Sequence, residues 1–386
     1  MLIDSSSDEV KRRDNALRII GSILNEEGKA GIFDLTGLSG GFPLEDEDLG
    51  LIETYAGPAL FEEQLTRLGI EHLGGEKVLA FNRTTSGIFA TILALVKAGE
   101  EIVHFLPKSP SHPSIPRSAA VVEAVYTEFD DIDKFRVTDN TSLVIITGST
   151  MDHDIIKTEE FDKVVEISKS KNIPIFVDDA SGASLRTIIH KQPNAIDLGA
   201  DMVIKSTDKL IEGPRGGLMA GKREFIDKVK SKAYEFGLEA QPPVIAGMVR
   251  TLEQFNPDRI FDAYHKKNIV YNALKKHFKN VQRTPTGIML SADGLINELE
   301  ISGHQIDLSA REVSFIFAMI LLKNHHIITI PAVGMPGASA TIRIDLASKD
   351  AEKIYTEFIV KAFIDSFNVL KDTINDLDLC ESFLFN

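Results

Sequence analysis

Two segments place reactive side chains at the ends of apolar runs. Residues 201–221 read DMVIKSTDKLIEGPRGGLMAG, an apolar run to Ile204, a polar turn Ser206-Thr207-Asp208, then Lys209, with Gly213 to Gly217 leading into a further apolar run. A lysine beyond the carboxyl end of a strand projects into the crevice where open α/β sheets bind ligands. The alternative is a solvated loop lysine. Thirty-one residues earlier, IPIFVDDASGA ends an apolar run in Asp178 and Asp179, followed by Ala180, Ser181 and Gly182. A carboxylate at a strand tip followed by small residues leaves room for a flat ring. Pyridoxal phosphate is an electron sink only while its ring nitrogen is protonated, and a buried aspartate paired to that nitrogen keeps the proton there. Neighbouring residues of a strand point to opposite faces, so only one of the two aspartates can meet such a ring. A cap on the next helix suits Asp179 better, which leaves Asp178 for the ring.

Upstream, FNRTTSGIFA (Phe81 to Ala90) reads as a strand followed by Thr84, Thr85, Ser86 and Gly87 opening a helix. Backbone N–H groups and the positive end of the helix dipole form an anion site there, to which the hydroxyls add donors. Alone this pattern describes an ordinary N-cap. In order with a strand-end aspartate and a post-strand lysine, it reads as a phosphate cup.

These residues need a sheet to position them. From about Pro58 helical and strand-like stretches alternate: helix 58–73, strand 77–81, helix 87–97, strands 101–105 and 142–146, helix 158–171, then strands 173–178, 201–204 and 216–220. Short apolar strands between amphipathic helices predict an α/β fold with a large, mostly parallel sheet covered on both faces. Helical stretches 243–255 and 257–278 follow. Beyond about Arg283 a smaller C-terminal α+β domain is expected, with strands 286–290, 295–301, 327–330 and 340–346 and helices 309–322 and 350–372. The expected division is 1–57 (an N-terminal helix, 10–25, and a loop segment), 58–282 and 283–386. TGLSGGF (Thr36 to Phe42) and the acidic run Glu45 to Asp48 should be irregular and exposed.

The order FNRTTSG, SHPS, VDDASGA, STDKLIEGPRGG and TIRIDL resembles fold-type I pyridoxal-phosphate enzymes. STDKLIEGPRGG is especially similar to the lysine segments of serine hydroxymethyltransferase and bacterial selenocysteine synthase. From roughly Asp34 onward, with TGSTMD and VDDASGA, the chain resembles an archaeal family of pyridoxal-phosphate proteins related to selenocysteine synthase. That resemblance implies Lys209 as the Schiff-base lysine and Asp178 as the partner of the pyridine nitrogen. It implies Thr85, Ser86, Gly87 and Ser206 at the phosphate, Ala180 beside the ring and His112 stacked over it. Arg343 of TIRIDL would hold a substrate α-carboxylate, for which a bidentate fork suits better than a lysine. Arg343 could instead be an edge-strand arginine paired with Asp345 or Glu352, and His112 an exposed loop histidine. Arg215 could contact the cofactor region or stabilise a dimer. The implied activity is that of a lyase, aldolase or transferase acting at Cα or Cβ of a small amino acid, in a homodimer. Seryl-tRNA as substrate and a non-catalytic sensor are the competing readings.

Composition narrows the remaining classes. The chain has 386 residues, a net charge of −15 and 43% hydrophobic residues, as expected of a soluble globular protein of two or three domains. The charge opposes a polyanion such as tRNA. No apolar run approaches the roughly 20 residues of a membrane span, and the N-terminus has no secretory pattern, so a cytoplasmic protein without membrane contact is expected. Cys380, the one cysteine, excludes internal disulfides, thiolate metal sites and the mobile loop cysteine of desulfurases. Asp152-His153-Asp154 lacks further metal ligands and reads as a turn. His325-His326 should lie at the surface. Neither a nucleotide-binding P-loop, an HExxH zinc motif nor a strand-linked GxGxxG is present.

Overall fold

A computed structural model describes every residue except Ser39, which belongs to the Thr36–Phe42 loop expected above. The chain forms two compact units, Ser39–Pro257 and the combination of Met1–Leu38 with Asp258–Asn386. This division differs from the expected one at both boundaries. The helix Asp258–Leu274 buries Ile260, Val270 and Leu274, and the last two join the apolar core of the unit that also holds Ala16 and Ile23 of the N-terminal helix Ser6–Glu27. An amphipathic face follows its apolar partners, not the composition shift near Arg283.

The larger unit carries a seven-stranded sheet: β1 (Lys77–Phe81), β2 (Glu101–Phe105), β3 (Val125–Phe129), β4 (Thr141–Thr147), β5 (Ile175–Asp178), β6 (Met202–Ser206) and β7 (Gly217–Gly221). The spatial order is β1-β7-β6-β5-β4-β2-β3. Pairs from β6 to β3 are parallel, whereas β7 runs antiparallel to both neighbours. β3 escaped the sequence reading because VYTEF is only partly buried at the sheet edge and has no apolar run.

Strand alternation sorts the side chains onto two faces. Leu143 and Ile145 of β4, Phe176 of β5 and Met202 and Ile204 of β6 pack on one face, with Ile88 and Ile92 of the helix Thr84–Leu95. Val144, Val177 and Val203 pack on the other, with Phe61 of the helix Ala56–Leu73 and Phe161 of the helix Thr158–Ser170. Each such fully buried side chain contributes about 1.5–3 kcal/mol. On the first face the last strand residue is polar: His104 on β2, Thr147 on β4, Asp178 on β5 and Ser206 on β6. A polar rim therefore ends an apolar floor at the carboxyl edge of the sheet.

The smaller unit has an antiparallel sheet of β8 (Gln282–Arg283), β9 (Gly287–Leu290) and β10 (Ile342–Asp345), with β9 in the middle, and a two-residue parallel ladder of Phe33–Asp34 with Ile327–Ile328. Residues 295–301, expected as a strand, belong to the helix Ala292–Ile301. Ser291 caps it by accepting from the Gly294 N–H, and the buried residues Leu295, Glu298 and Leu299 have helical spacing. The alternation of LINELEI also satisfies a helix stripe, and the cap decides between the two. The acidic run expected to be irregular begins the short helix Asp46–Ile52, where Asp48 is buried against Arg250, 2.6 and 2.9 Å away. No helix among the described residues is long and apolar enough to cross a membrane.

Candidate active site

Asp178 is the last residue of β5 and is 9% exposed. Its Oδ1 is buried without a hydrogen-bond partner among the described residues, while the Ala180 N–H donates to the carboxylate. Burial pushes its pKa up to about 6, against the attraction of Lys209. Asp179 points to the opposite face and is bound by Arg186, Nε to Oδ1 at 3.1 Å and Nη2 to Oδ2 at 2.5 Å, with both side chains fully buried. Arg186 reaches it from a π-helical turn, Leu185–Ile189, a wide turn often found beside functional sites. Alternation thus gives the two aspartates different partners. A buried acceptor left unpaired is costly. At Asp178 it fits a protonated ring nitrogen, and half-buried Ala180 leaves space beside it.

Lys209 is half-buried on the loop between β6 and β7. Thr207 fastens that loop: its N–H donates to the Gly216 carbonyl at 3.0 Å, its hydroxyl to that of Pro214 at 2.6 Å, and its carbonyl accepts from Gly213 at 3.0 Å. Leu210, directly after the lysine, has φ +62°. A bulky residue in the left-handed region stores strain of order 1–3 kcal/mol, held here by those loop bonds. The charge on Lys209 acts on both Asp178 and His112, so the structure brings these three together.

His112 precedes the helix Ser114–Val121 and accepts the Ser114 N–H at Nδ1, 3.2 Å, with the Ser114 hydroxyl 2.7 Å from the same nitrogen. This leaves the ring proton on Nε2. Surrounding protein and then the cations Lys209, Arg117 and Arg83 push its pKa down to about 4. His112 itself is exposed, as the alternative reading of a loop histidine expected.

The helix Thr84–Leu95 starts beside these groups, directly after Arg83. Gly87 allows its close approach, because a Cβ there would strike Ile204 on β6 and come within 3.0 Å of the Phe81 ring. Thr85 is exposed and Ser86 half-buried, so their hydroxyls remain accessible to an anion, while the Ser86 and Gly87 N–H groups donate to the Arg83 carbonyl at 3.1 and 3.2 Å. Ser206 is less available: its hydroxyl donates to Asp208 at 2.6 Å and its N–H to the Ala180 carbonyl at 3.0 Å. Arg215 is 48% exposed and lies 3.7 Å from Asp208. Arg343 lies in the other unit, on β10, 6% exposed, with Nη2 3.4 Å from the Thr36 carbonyl. Its charge is felt by Asp345 two residues on, whose carboxyl burial nonetheless raises.

The sequence reading missed Arg83, whose signal was its position just before TTSG, and the buried pair His104 and Thr147, which nothing in the sequence joins. Asp152-His153-Asp154 forms the expected turn, closed by the Thr150 N–H to the Asp154 carbonyl at 2.9 Å. No cluster of three potential metal ligands occurs among the described residues.

The chain is similar to known proteins. Residues 277–355 match the family described as UPF0425 C-terminal domain, and residues 127–290 match L-seryl-tRNA selenium transferase. A UPF0425 pyridoxal phosphate-dependent protein of Methanosphaera stadtmanae is 50% identical over 98% of both chains, and one of Methanothermobacter thermautotrophicus 51% over 97% of both. An L-seryl-tRNA(Sec) selenium transferase of Carboxydothermus hydrogenoformans is 28% identical over 47% of this chain and 43% of its own. Among solved structures, a chain of the SepCysS–SepCysE N-terminal domain complex aligns with a TM-score of 0.60 at 16% identity, covering 90% of this chain and 97% of that one. The N-succinyldiaminopimelate aminotransferase of Mycobacterium tuberculosis aligns with a TM-score of 0.57 at 17% identity, covering 92% and 98%. The fold is therefore fold-type I, and the chain belongs to the archaeal UPF0425 family of pyridoxal phosphate-dependent proteins.

Proposed function

We propose that the protein is a pyridoxal-phosphate enzyme acting at Cα or Cβ of a small amino acid, as a lyase, aldolase or transferase, and that it works as a cytoplasmic homodimer. The observation that carries the cofactor reading is the buried, unpartnered Oδ1 of Asp178 within the field of Lys209. When bound, pyridoxal phosphate supplies an electron sink for charge developing at the substrate's α-carbon. Asp178 holds the proton on the ring nitrogen. Lys209 Nζ would hold the cofactor at its aldehyde and is the amine that would move a proton at the substrate's α-carbon. Neutral His112 offers a flat face to the ring. Thr85, Ser86 and Gly87 are assigned to the phosphate, with Arg83 adding positive charge and the Ser206 hydroxyl a further donor once turned from Asp208. Arg343 is assigned to the substrate carboxylate and Arg215 to the rim of the site. Purified protein given pyridoxal phosphate should develop a visible absorption band that borohydride removes, and mass spectrometry should then find the reduced adduct on Lys209. An adduct on any other lysine overturns the assignment.

The match of residues 127–290 to L-seryl-tRNA selenium transferase favours a second reading, an aminoacyl-tRNA substrate. Electrostatics favour the small amino acid. Lys230 lies 3.7 Å from Glu62, Lys232 lies 2.7 Å from Glu235, and Lys228 sits over the Phe225 ring, so the basic helix Arg223–Phe236 is interspersed with acids on a chain of net charge −15. Neutralising several phosphates requires a surplus of cations. Titration with seryl-tRNA at low salt should show no binding at micromolar protein. Salt-sensitive binding lost in a Lys228→Ala, Lys230→Ala, Lys232→Ala variant would reverse the ranking.

A further inference from the structure

A buried polar chain runs along the sheet next to Asp178. Thr147, the last residue of β4, pairs in parallel register with Asp178 on β5, so both side chains leave the same face of the sheet. The Thr147 hydroxyl lies 2.8 Å from His104 Nε2, His104 Nδ1 lies 2.8 Å from the Tyr126 hydroxyl, and that hydroxyl donates to Glu128 at 2.7 Å. Ser111, next to His112, lies 2.9 Å from the Tyr126 hydroxyl.

Donor counting fixes the direction of the bonds that link Glu128, Tyr126, His104 and Thr147. Partial burial pushes the Glu128 carboxyl up, but bonds from Ser111 and Tyr126 outweigh it and hold the group ionised, hence able only to accept. Burial first, and its bond to Glu128 in addition, push the Tyr126 phenol up, so it keeps its single proton and directs it at Glu128. The Tyr126 oxygen must then accept from His104 Nδ1–H. Complete burial lowers the pKa of His104 to about 4, so its other nitrogen carries a lone pair. That lone pair accepts the Thr147 proton. The Thr147 hydroxyl is therefore held on His104 with its one proton committed, and Asp178 Oδ1, on the register partner of Thr147, has no hydrogen-bond partner among the described residues, Thr147 included.

We propose that Glu128, Tyr126 and His104 are positioning residues that turn the Thr147 hydroxyl away from Asp178, and so keep the Asp178 carboxylate open for a ring N–H. If the chain is broken, the Thr147 side chain is released to rotate toward its register partner Asp178, donate to it and occupy the oxygen the ring nitrogen requires. Lys209 and Asp179 also act electrostatically on Asp178, and neither belongs to the chain, so its influence can be separated from theirs. The importance of the chain rests on the cofactor reading above, but its geometry does not.

The test begins with the apoprotein, labelled with carbon-13 at the aspartate carboxyls, the Asp178 signal being assigned by its loss in Asp178→Asn. In His104→Leu, and in Tyr126→Phe at the half-buried edge strand where the core is undisturbed, Asp178 should ionise about tenfold more readily, a shift of one pKa unit. Binding of pyridoxal phosphate should weaken by about the same factor. Thr147→Val cannot donate, so adding either substitution to it should move Asp178 no further. An unchanged Asp178 titration in folded Tyr126→Phe overturns the proposal, as does an equal shift in the Thr147→Val background. A shift as expected in a protein that binds no pyridoxal phosphate would uphold the chain and reject the cofactor reading.

Discussion

Asp178→Asn is expected to slow exchange of a bound amino acid's α-proton by on the order of a hundredfold or more, the loss typical when one preorganised electrostatic partner of a developing charge is removed. The cofactor should stay bound through its phosphate and Lys209. Before cofactor binds, the same substitution should stabilise the protein. Asp178 titrates at about 6 because of burial, against an ordinary value of 3.8. A carboxyl whose folded pKa is raised contributes fully to stability below the unfolded value and loses that contribution as pH rises through the folded one. The apoprotein should therefore lose about 3 kcal/mol in all as pH rises from below 3.8 to above 6, most of it between pH 4 and pH 7, on account of this group. Asparagine has no such slope, so the variant apoprotein should resist denaturant better at pH 7.5 while being nearly inactive. Proton exchange followed by NMR and urea unfolding at several pH values check the two halves separately. Full exchange with a flattened pH slope would mean that Asp178 is a buried structural acid and that the ring nitrogen is held elsewhere.

The separate fates of Asp178 and Asp179 were legible from period-two alternation, and so was the order of helix start, strand-end aspartate and loop lysine. Residues with local signals were placed well: the strands Lys77–Phe81 and Glu101–Phe105 match residue for residue. Features decided by distant partners were not legible. VYTEF gained its strand identity from pairing with β2, and Tyr126 and Glu128 gained a role only from His104 and Thr147 on other strands. LINELEI satisfied two periodicities, and a serine cap outside the motif chose the helix. The domain boundary followed the buried face of the helix Asp258–Leu274, which the sequence shows as amphipathic without saying which core receives it.

Arg186 was not singled out by the sequence, yet its loss should be the largest single blow to folding. The guanidinium is fully buried, bonded twice to Asp179, and held by Gln192 at 3.1 Å, the Pro193 carbonyl at 3.3 Å and the Phe161 ring 5.6 Å from its centre. Gly148 and Gly182 give the Asp179 carboxylate its space, since a Cβ at either would collide with Oδ1. Removing one partner of such a pair strands the other charge away from water, so Arg186→Ala should cost about 3–5 kcal/mol. Replacing both partners with apolar residues of similar size, Arg186→Met with Asp179→Leu, should recover much of the loss, because neither charge then has to be desolvated. Asp178 would still end β5 on the opposite face in that double variant. Retention of its cofactor band, alongside restored thermal stability, would show that Asp179 and Arg186 serve the strand end while Asp178 serves the ring; loss of the band in a stable double variant would make the buried pair part of the cofactor site itself.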